Sequence, residues 1–168
     1  EKPWWLEYPS DIFPFLHGGG IHCIDLLRWN GGKVKKVFAT STSFELKKEL
    51  KSDTFSILLE FENGVLADCS ISASAFRPNL FEFDYWLTSG SIINNTKVFG
   101  KKNNQAFLSD EIKIEQKIID LGLQFENMLE SIECNKSPLN SFEEAWENFI
   151  VISAIEKSLR EGRVISIN

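Results

Sequence analysis

The amino-acid sequence predicts an α+β fold: an open, mostly antiparallel sheet of about six strands with helices packed on one face. Three observations carry this expectation. The apolar period is helical from Gly20 to Trp29, becomes two from Lys33 onward, and returns to helical after Ile119. Short turn signals separate the period-two segments, which suits antiparallel neighbours. A capping box opens the last long helix.

Residues 1–16, EKPWWLEYPSDIFPFL, hold Pro3, Pro9 and Pro14 among aromatics. Prolines this dense read as an ordered N-terminal loop, packed down by Trp4, Trp5, Phe13 and Phe15. In the next segment Ile21, Ile24 and Leu27, with Leu26 and Trp29, fit a helix that stops at Asn30-Gly31-Gly32. Lys33–Phe44 is β-branched and reads as a strand. Thr54–Glu62 places Phe55, Ile57, Leu59 and Phe61 on one face, and Glu62-Asn63-Gly64 is a hairpin turn. Gly64–Ala75 returns with Val65, Ala67, Cys69, Ile71 and Ala73 on one face and Asp68, Ser70, Ser72 and Ser74 on the other. Phe81, Phe83, Tyr85 and Leu87 alternate up to Ser89-Gly90, and Ser91–Phe99 and Gln105–Gln116 supply two more strands. Ile119–Cys134 is a helix, with a connection ended by Ser137-Pro138. Ser141, followed three residues later by Glu144, caps a second helix. Its apolar stripe takes in Phe142, Trp146, Phe149 and Ile152 as far as Leu159, Gly162 stops it, and Val164–Ile167 is a last short strand.

With 168 residues the chain fits a single domain, and 43% hydrophobic with 25% charged residues is a globular composition. Eighteen basic against 24 acidic residues give a net charge of −6, without a basic stripe, which excludes nucleic acid as the main partner. No apolar run approaches the ~20 residues of a membrane helix, and no signal peptide is visible. Cys23, Cys69 and Cys134 are an odd number with no CxxC spacing. They read as reduced thiols of a cytoplasmic protein, with no metal site. The chain opens on Glu1 and has its only methionine at Met128, so it reads as part of a longer product.

Chemistry concentrates in His17–Trp29, HGGGIHCIDLLRW. His22 stands at a glycine-lined helix start and has two readings: a general acid/base that holds a substrate hydroxyl, or a histidine at a helix end with no further role. Asp25, one turn on, is placed to orient His22 or to answer the helix dipole. The glycines suggest a tight turn, or something that approaches the backbone closely. His17, Gly18, Gly19 and Arg28 are the candidate substrate contacts, and Arg77 is a second possible anion contact. HGGGIH is not GxGxxG and follows no strand, so a dinucleotide fingerprint is not supported. Trp4, Trp5 and Trp86 are open as core or as a sugar platform.

GGGIHCIDLLRW, followed by a glycine turn and VKKVFA, resembles the helix and first strand of the C-terminal domain of the Gfo/Idh/MocA oxidoreductases. TSGSIINNTKVFG resembles that family's glycine-turn hairpin, and SFEEAWENFIVISAIEKSLREGRVISI its terminal helix and strand. The resemblance runs from residue 16 to 167. Many family members carry an aspartate four residues before the histidine, where this chain has Gly18; His17 or Asp11 substitutes, or this branch does without. Glu1-Lys2-Pro3 matches a nucleotide-domain motif of the family, but no Rossmann elements separate Lys2 from His22, and the lysine is not carried over.

The resemblance implies the substrate-binding and dimerisation half of an NAD(P)-dependent oxidoreductase acting on a hydroxyl of a sugar, cyclitol or related polyol. His22 would bind that hydroxyl and help move its proton, with Asp25 setting the ring, while hydride passes to the nicotinamide. NAD or NADP would be held mainly by a Rossmann domain outside residues 1–168, and this fragment by itself is expected to bind no cofactor and to be inactive. A homo-oligomer through the open sheet face is the expected assembly, since Leu58, Leu66 and Trp86 add bulk to the face that the helices leave uncovered. The alternative is a non-catalytic dimerisation or small-molecule-binding module.

Overall fold

A computed structural model describes residues 13–44, 52–75, 82–94, 96–102, 105–111 and 121–167. These form two compact units, residues 1–75 with 137–168 and residues 76–136. The α+β class and the antiparallel pairing stand as read. The strands number eight among the described residues and form two four-stranded sheets.

The first unit contains helix α1 (Ile21–Gly31), strands β1 (Val34–Thr42), β2 (Thr54–Phe61) and β3 (Leu66–Ser72), helix α3 (Phe142–Glu161) and strand β8 (Ile165–Ser166). Its sheet runs β3-β2-β1-β8, with every pairing antiparallel. The period-two pattern of β2 is realised as expected: Phe55, Ile57, Leu59 and Phe61 are all buried. Burial of such side chains contributes roughly 1.5–3 kcal/mol each. They pack with Ile24 of α1 and with Val151, Ile152 and Ile155 of α3, which cover that face of the sheet.

Three local features differ from the sequence expectation. The helical path begins at Pro14, not Gly20, because proline has no N–H to lose in a first turn. His17 and the three glycines therefore lie in a π-helical turn, Leu16–Gly20, continuous with α1. The buried face of α3 is Asn148, Val151, Ile152, Ala154, Ile155 and Ser158, whereas Phe142, Trp146 and Phe149 of the expected stripe are exposed. The buried face carries polar groups because they find partners: Ser158 Oγ donates to the Arg163 carbonyl at 2.7 Å and accepts from Ala39 N–H at 3.0 Å. The Ser141 cap forms as expected, its hydroxyl accepting from Glu144 N–H at 3.3 Å, and Gly162 ends α3 at φ +64°.

The 62–64 turn works through a side chain as well as a glycine. Gly64 takes φ +85°, while Asn63 Oδ1 accepts from Val65 N–H at 3.0 Å and its Nδ2 donates to the Gly31 carbonyl at 3.0 Å. The hairpin is thereby tied to the end of α1.

The second unit contains β4 (Tyr85–Leu87), β5 (Gly90–Ile93), β6 (Lys97–Lys102), β7 (Gln105–Glu111) and helix α2 (Leu121–Glu133), the strands pairing in sequential order. The expected single strand Ser91–Phe99 is broken, because Asn94 adopts φ +49° and its N–H donates to Asp84 Oδ1 at 2.8 Å. Asparagine tolerates that left-handed conformation better than most residues. Phe81 and residues 112–116 of the expected strands lie outside the described residues, as do Trp4, Trp5, Asp11 and Arg77.

Gly31 brings α1 into close contact with the sheet. A Cβ there would lie within 2.7 Å of three ring carbons of Phe61, itself 1% exposed. Gly31→Ala is expected to destabilise the chain by about 1–3 kcal/mol, the usual range for overpacking a core. Urea unfolding checks this, and an unchanged midpoint would show that the contact relaxes without cost.

Candidate functional site

The glycine turn is filled by the protein's own side chains. A Cβ on Gly19 would stand 2.9 Å from the Phe15 ring, and one on Gly20 would stand 3.0 Å from Leu16 Cδ1 and 3.2 Å from Ile71 Cδ1. Of the two sequence explanations, close approach is the one realised, and what approaches is the core. Gly18 is half-buried in the same turn. Gly19 and Gly20 thus admit Phe15, Leu16 and Ile71 beside this helix start.

His17 is tethered to α3. Its Nε2 lies 3.0 Å from Glu156 Oε1, and its ring centroid lies 6.3 Å from that of Phe149. Glu156 also accepts from Arg160 Nη2 at 3.2 Å through its other oxygen. His22, in the first turn of α1, is exposed, and its imidazole makes no hydrogen bond among the described residues.

Asp25 and Arg28 turn toward α3. Asp25 Oδ1 accepts from Asn148 Nδ2 at 2.5 Å, and Asn148 Oδ1 accepts from Arg28 Nη1 at 2.6 Å. Arg28 continues outward, donating to the Glu144 carbonyl at 3.1 Å and to Glu144 Oε2 at 3.2 Å. The Arg28 side chain is only 9% exposed, so its bond to Asn148 is a charge-assisted one in a largely water-excluded position, whereas Glu144 lies in solvent. A small open cavity of about 100 Å³ lies beside the network, lined by Asp25, Arg28, Trp29, Leu139, Asn140 and Glu144.

The structure therefore brings Asp25 and Arg28 together through Asn148, and no hydrogen bond joins Asp25 to His22 among the described residues. Three α3 residues escaped the sequence reading. Asn148 sits within a buried helical face, where a polar residue among apolar ones is the signal that a partner must exist. Glu144 drew notice only as a cap member, and Glu156 carried no distinguishing signal. Among the described residues no group of three His, Cys, Asp or Glu side chains is close enough to hold a metal ion, and no helix is long and apolar enough to cross a membrane.

Residues 2–93 match the family model described as the GFO/IDH/MocA C-terminal domain. The chain belongs to the Gfo/Idh/MocA family. Solved structures share the fold of this Gfo/Idh/MocA domain at low identity. A candidate NADPH-dependent oxidoreductase from Desulfitobacterium hafniense superposes with a TM-score of 0.81 at 20% identity, over 98% of this chain and 51% of that one. A candidate myo-inositol dehydrogenase from Sinorhizobium meliloti gives 0.76 at 17% identity, over 99% and 53%. The aldose-aldose oxidoreductase from Caulobacter crescentus, complexed with glycerol, gives 0.75 at 19% identity, over 99% and 51%. The chain spans about half the length of these proteins. Comparison with curated proteins finds no match.

The amide bridge makes a measurable claim about this Gfo/Idh/MocA domain. Asn148→Ala leaves the Asp25 carboxylate without its described partner and takes one bond from Arg28, which keeps Glu144, so a loss of about 1.5–3 kcal/mol is expected. Glu144→Ala removes an exposed partner only and is expected to cost about 0.2–1 kcal/mol. Chemical denaturation of both variants tests the difference. Equal losses would show that the buried amide matters no more than the surface pair.

Proposed function

We propose that this domain is the substrate-binding half of an NAD(P)-dependent oxidoreductase acting on a hydroxyl of a sugar, cyclitol or related polyol. One observation supports the reading above the others: the matched family segment contains His22, an exposed imidazole in the first turn of a helix that α3 braces. In this reading His22 accepts the substrate hydroxyl and takes up its proton. Asp25 acts at one remove, by setting α1 through Asn148. The half-buried turn of His17, Gly18 and Gly19 supplies further substrate contacts, whereas Arg28 already serves α3. The polyol class is suggested by the relatives named for aldose and myo-inositol and by the glycerol complex.

The nucleotide falls to sequence outside these 168 residues, in keeping with a chain half as long as its structural relatives. Both compact units belong, in this reading, to one C-terminal-type domain of a cytoplasmic enzyme. A second reading, a non-catalytic dimerisation or small-molecule-binding module, is favoured by Gly18, which leaves no carboxylate four residues before His22.

The two readings part at His22. In the full-length enzyme, His22→Ala is expected to lower turnover on the order of 10²- to 10⁴-fold, as loss of a positioned acid/base does. Its thermal midpoint should stay close to that of the parent, because the exposed side chain has no described partner to lose. Steady-state kinetics beside thermal melts decide the matter. A variant that melts early yet turns over normally would make the histidine structural.

We further propose self-association through the open sheet face. Phe38 and Leu58, cross-strand partners on the face away from the helices, are 36% and 53% exposed, and Leu66 is 74% exposed. A symmetric pair would remove this apolar surface from water. Sedimentation should show a dimer that Leu58→Lys weakens. A strict monomer at high micromolar concentration would overturn the assignment.

A further inference from the structure

One edge of α1 runs along β3, and two thiols meet there. Gly20 sits close enough to the strand that a Cβ would lie 3.2 Å from Ile71 Cδ1. Residues three and seven further along the helix share that edge, and residues two and four back along the strand share its inner face. The helix row Gly20, Cys23, Leu27 therefore faces the strand row Ile71, Cys69, Ala67, running in opposite directions. Burial agrees with this alignment: Cys23, Leu27, Ala67 and Cys69 are each partly buried and packed against the same core cluster. Both cysteines are free thiols, close enough for each to perturb the other's ionisation.

We propose that Cys23 and Cys69 form an oxidative modification site, at which hydrogen peroxide joins α1 to β3 through a disulfide. Both are only partly buried, so a molecule the size of peroxide has a path to the sulfur that a sealed core would deny. The neighbouring Cys69 holds the Cys23 thiol below its ordinary range, against the opposing effect of burial. The neighbouring Cys23, together with burial, pushes the Cys69 thiol up. In the proposed reaction Cys23 attacks and Cys69 resolves.

In the first step the Cys23 sulfur attacks one peroxide oxygen. An S–O bond forms, the O–O bond breaks, and hydroxide leaves. In the second step the Cys69 sulfur displaces the sulfenic oxygen, forming the S–S bond, and the thiol proton departs with that oxygen as water. Hydroxide takes up the proton that Cys23 released. The two thiols give up two electrons, and one peroxide is reduced to two waters. This chemistry does not depend on the role of His22, although the cross-link would fasten the turn next to it.

The test uses the full chain carrying Cys134→Ser, which removes the exposed third thiol. After peroxide treatment and quenching, the expected result is loss of two hydrogens in mass, loss of both titratable thiols, and a linked Cys23–Cys69 peptide that dithiothreitol releases. In Cys69→Ser on the same background, oxidation is expected to stop at a Cys23 sulfenic acid that dimedone traps. If that variant does not fold, the linked peptide in its parent still decides. Sulfinic or sulfonic acid without a linked peptide would overturn the proposal, as would two thiols that stay titratable, or a disulfide found only between chains.

Discussion

The amide of Asn148 joins the two helices that cover the first sheet. Its donor meets the Asp25 carboxylate and its acceptor meets the Arg28 guanidinium, so one buried side chain bridges opposite charges one turn apart on α1. Apolar packing alone would bring α1 and α3 together with little preference for rotation about their axes. Hydrogen bonds to charged groups in a low-dielectric layer are directional, and a missed partner there costs more than the bond returns. The network therefore sets the azimuth of α1. His22 lies three residues before Asp25, about 60° away around the helix, so the same bonds determine where its imidazole emerges.

That rotation is possible because α1 can come very close to the sheet. Gly31 rests against the Phe61 ring, where a methyl group would collide, and Gly20 against Ile71, where one would fit only tightly. The helix is thus seated by small residues at each end and locked in rotation by Asn148 between them. Asn63 adds a bond from the 62–64 hairpin to the carbonyl of Gly31, which secures the far end of α1. His17, bonded to Glu156, secures the near end. Each of these ties connects residues far apart in the chain, and together they leave His22 exposed on a helix that has little freedom to move.

The charged groups on the sheet illustrate a weaker kind of ordering. Lys35 and Lys36 both reach Glu60, at 3.1 and 2.9 Å, and hold its carboxyl below the usual range. The hydrogen bonds from Lys36 and then Lys35 are the main causes. These bonds lie in solvent, where water and salt screen them, and they decorate the sheet without deciding its fold. Energetic weight stays with the inner face and the helix–helix bridge.

Much of this fold was legible in the sequence because its signals are local. The alternation of Phe55, Ile57, Leu59 and Phe61, the Ser141 cap, the stops at Gly31-Gly32 and Gly162, and the hairpin at Asn63-Gly64 each depend on neighbours in the chain, and each is realised. The α+β class and the family resemblance followed from the order of those signals. Partnerships across the chain were not legible. Nothing in HGGGIHCIDLLRW distinguishes an aspartate that orients His22 from one that binds Asn148, since the choice is made by a residue 123 positions away in the chain. The glycine run could not be assigned to a ligand or to the core until Phe15, Leu16 and Ile71 were in place around it. Likewise the aromatic stripe of α3 was the stronger pattern, yet the neighbouring face with Asn148 and Ser158 is the one buried, because its polar groups find partners on α1, on β1 and at Arg163. Local propensity writes the elements; which face of α3 is buried goes with the partners that Asn148 and Ser158 find.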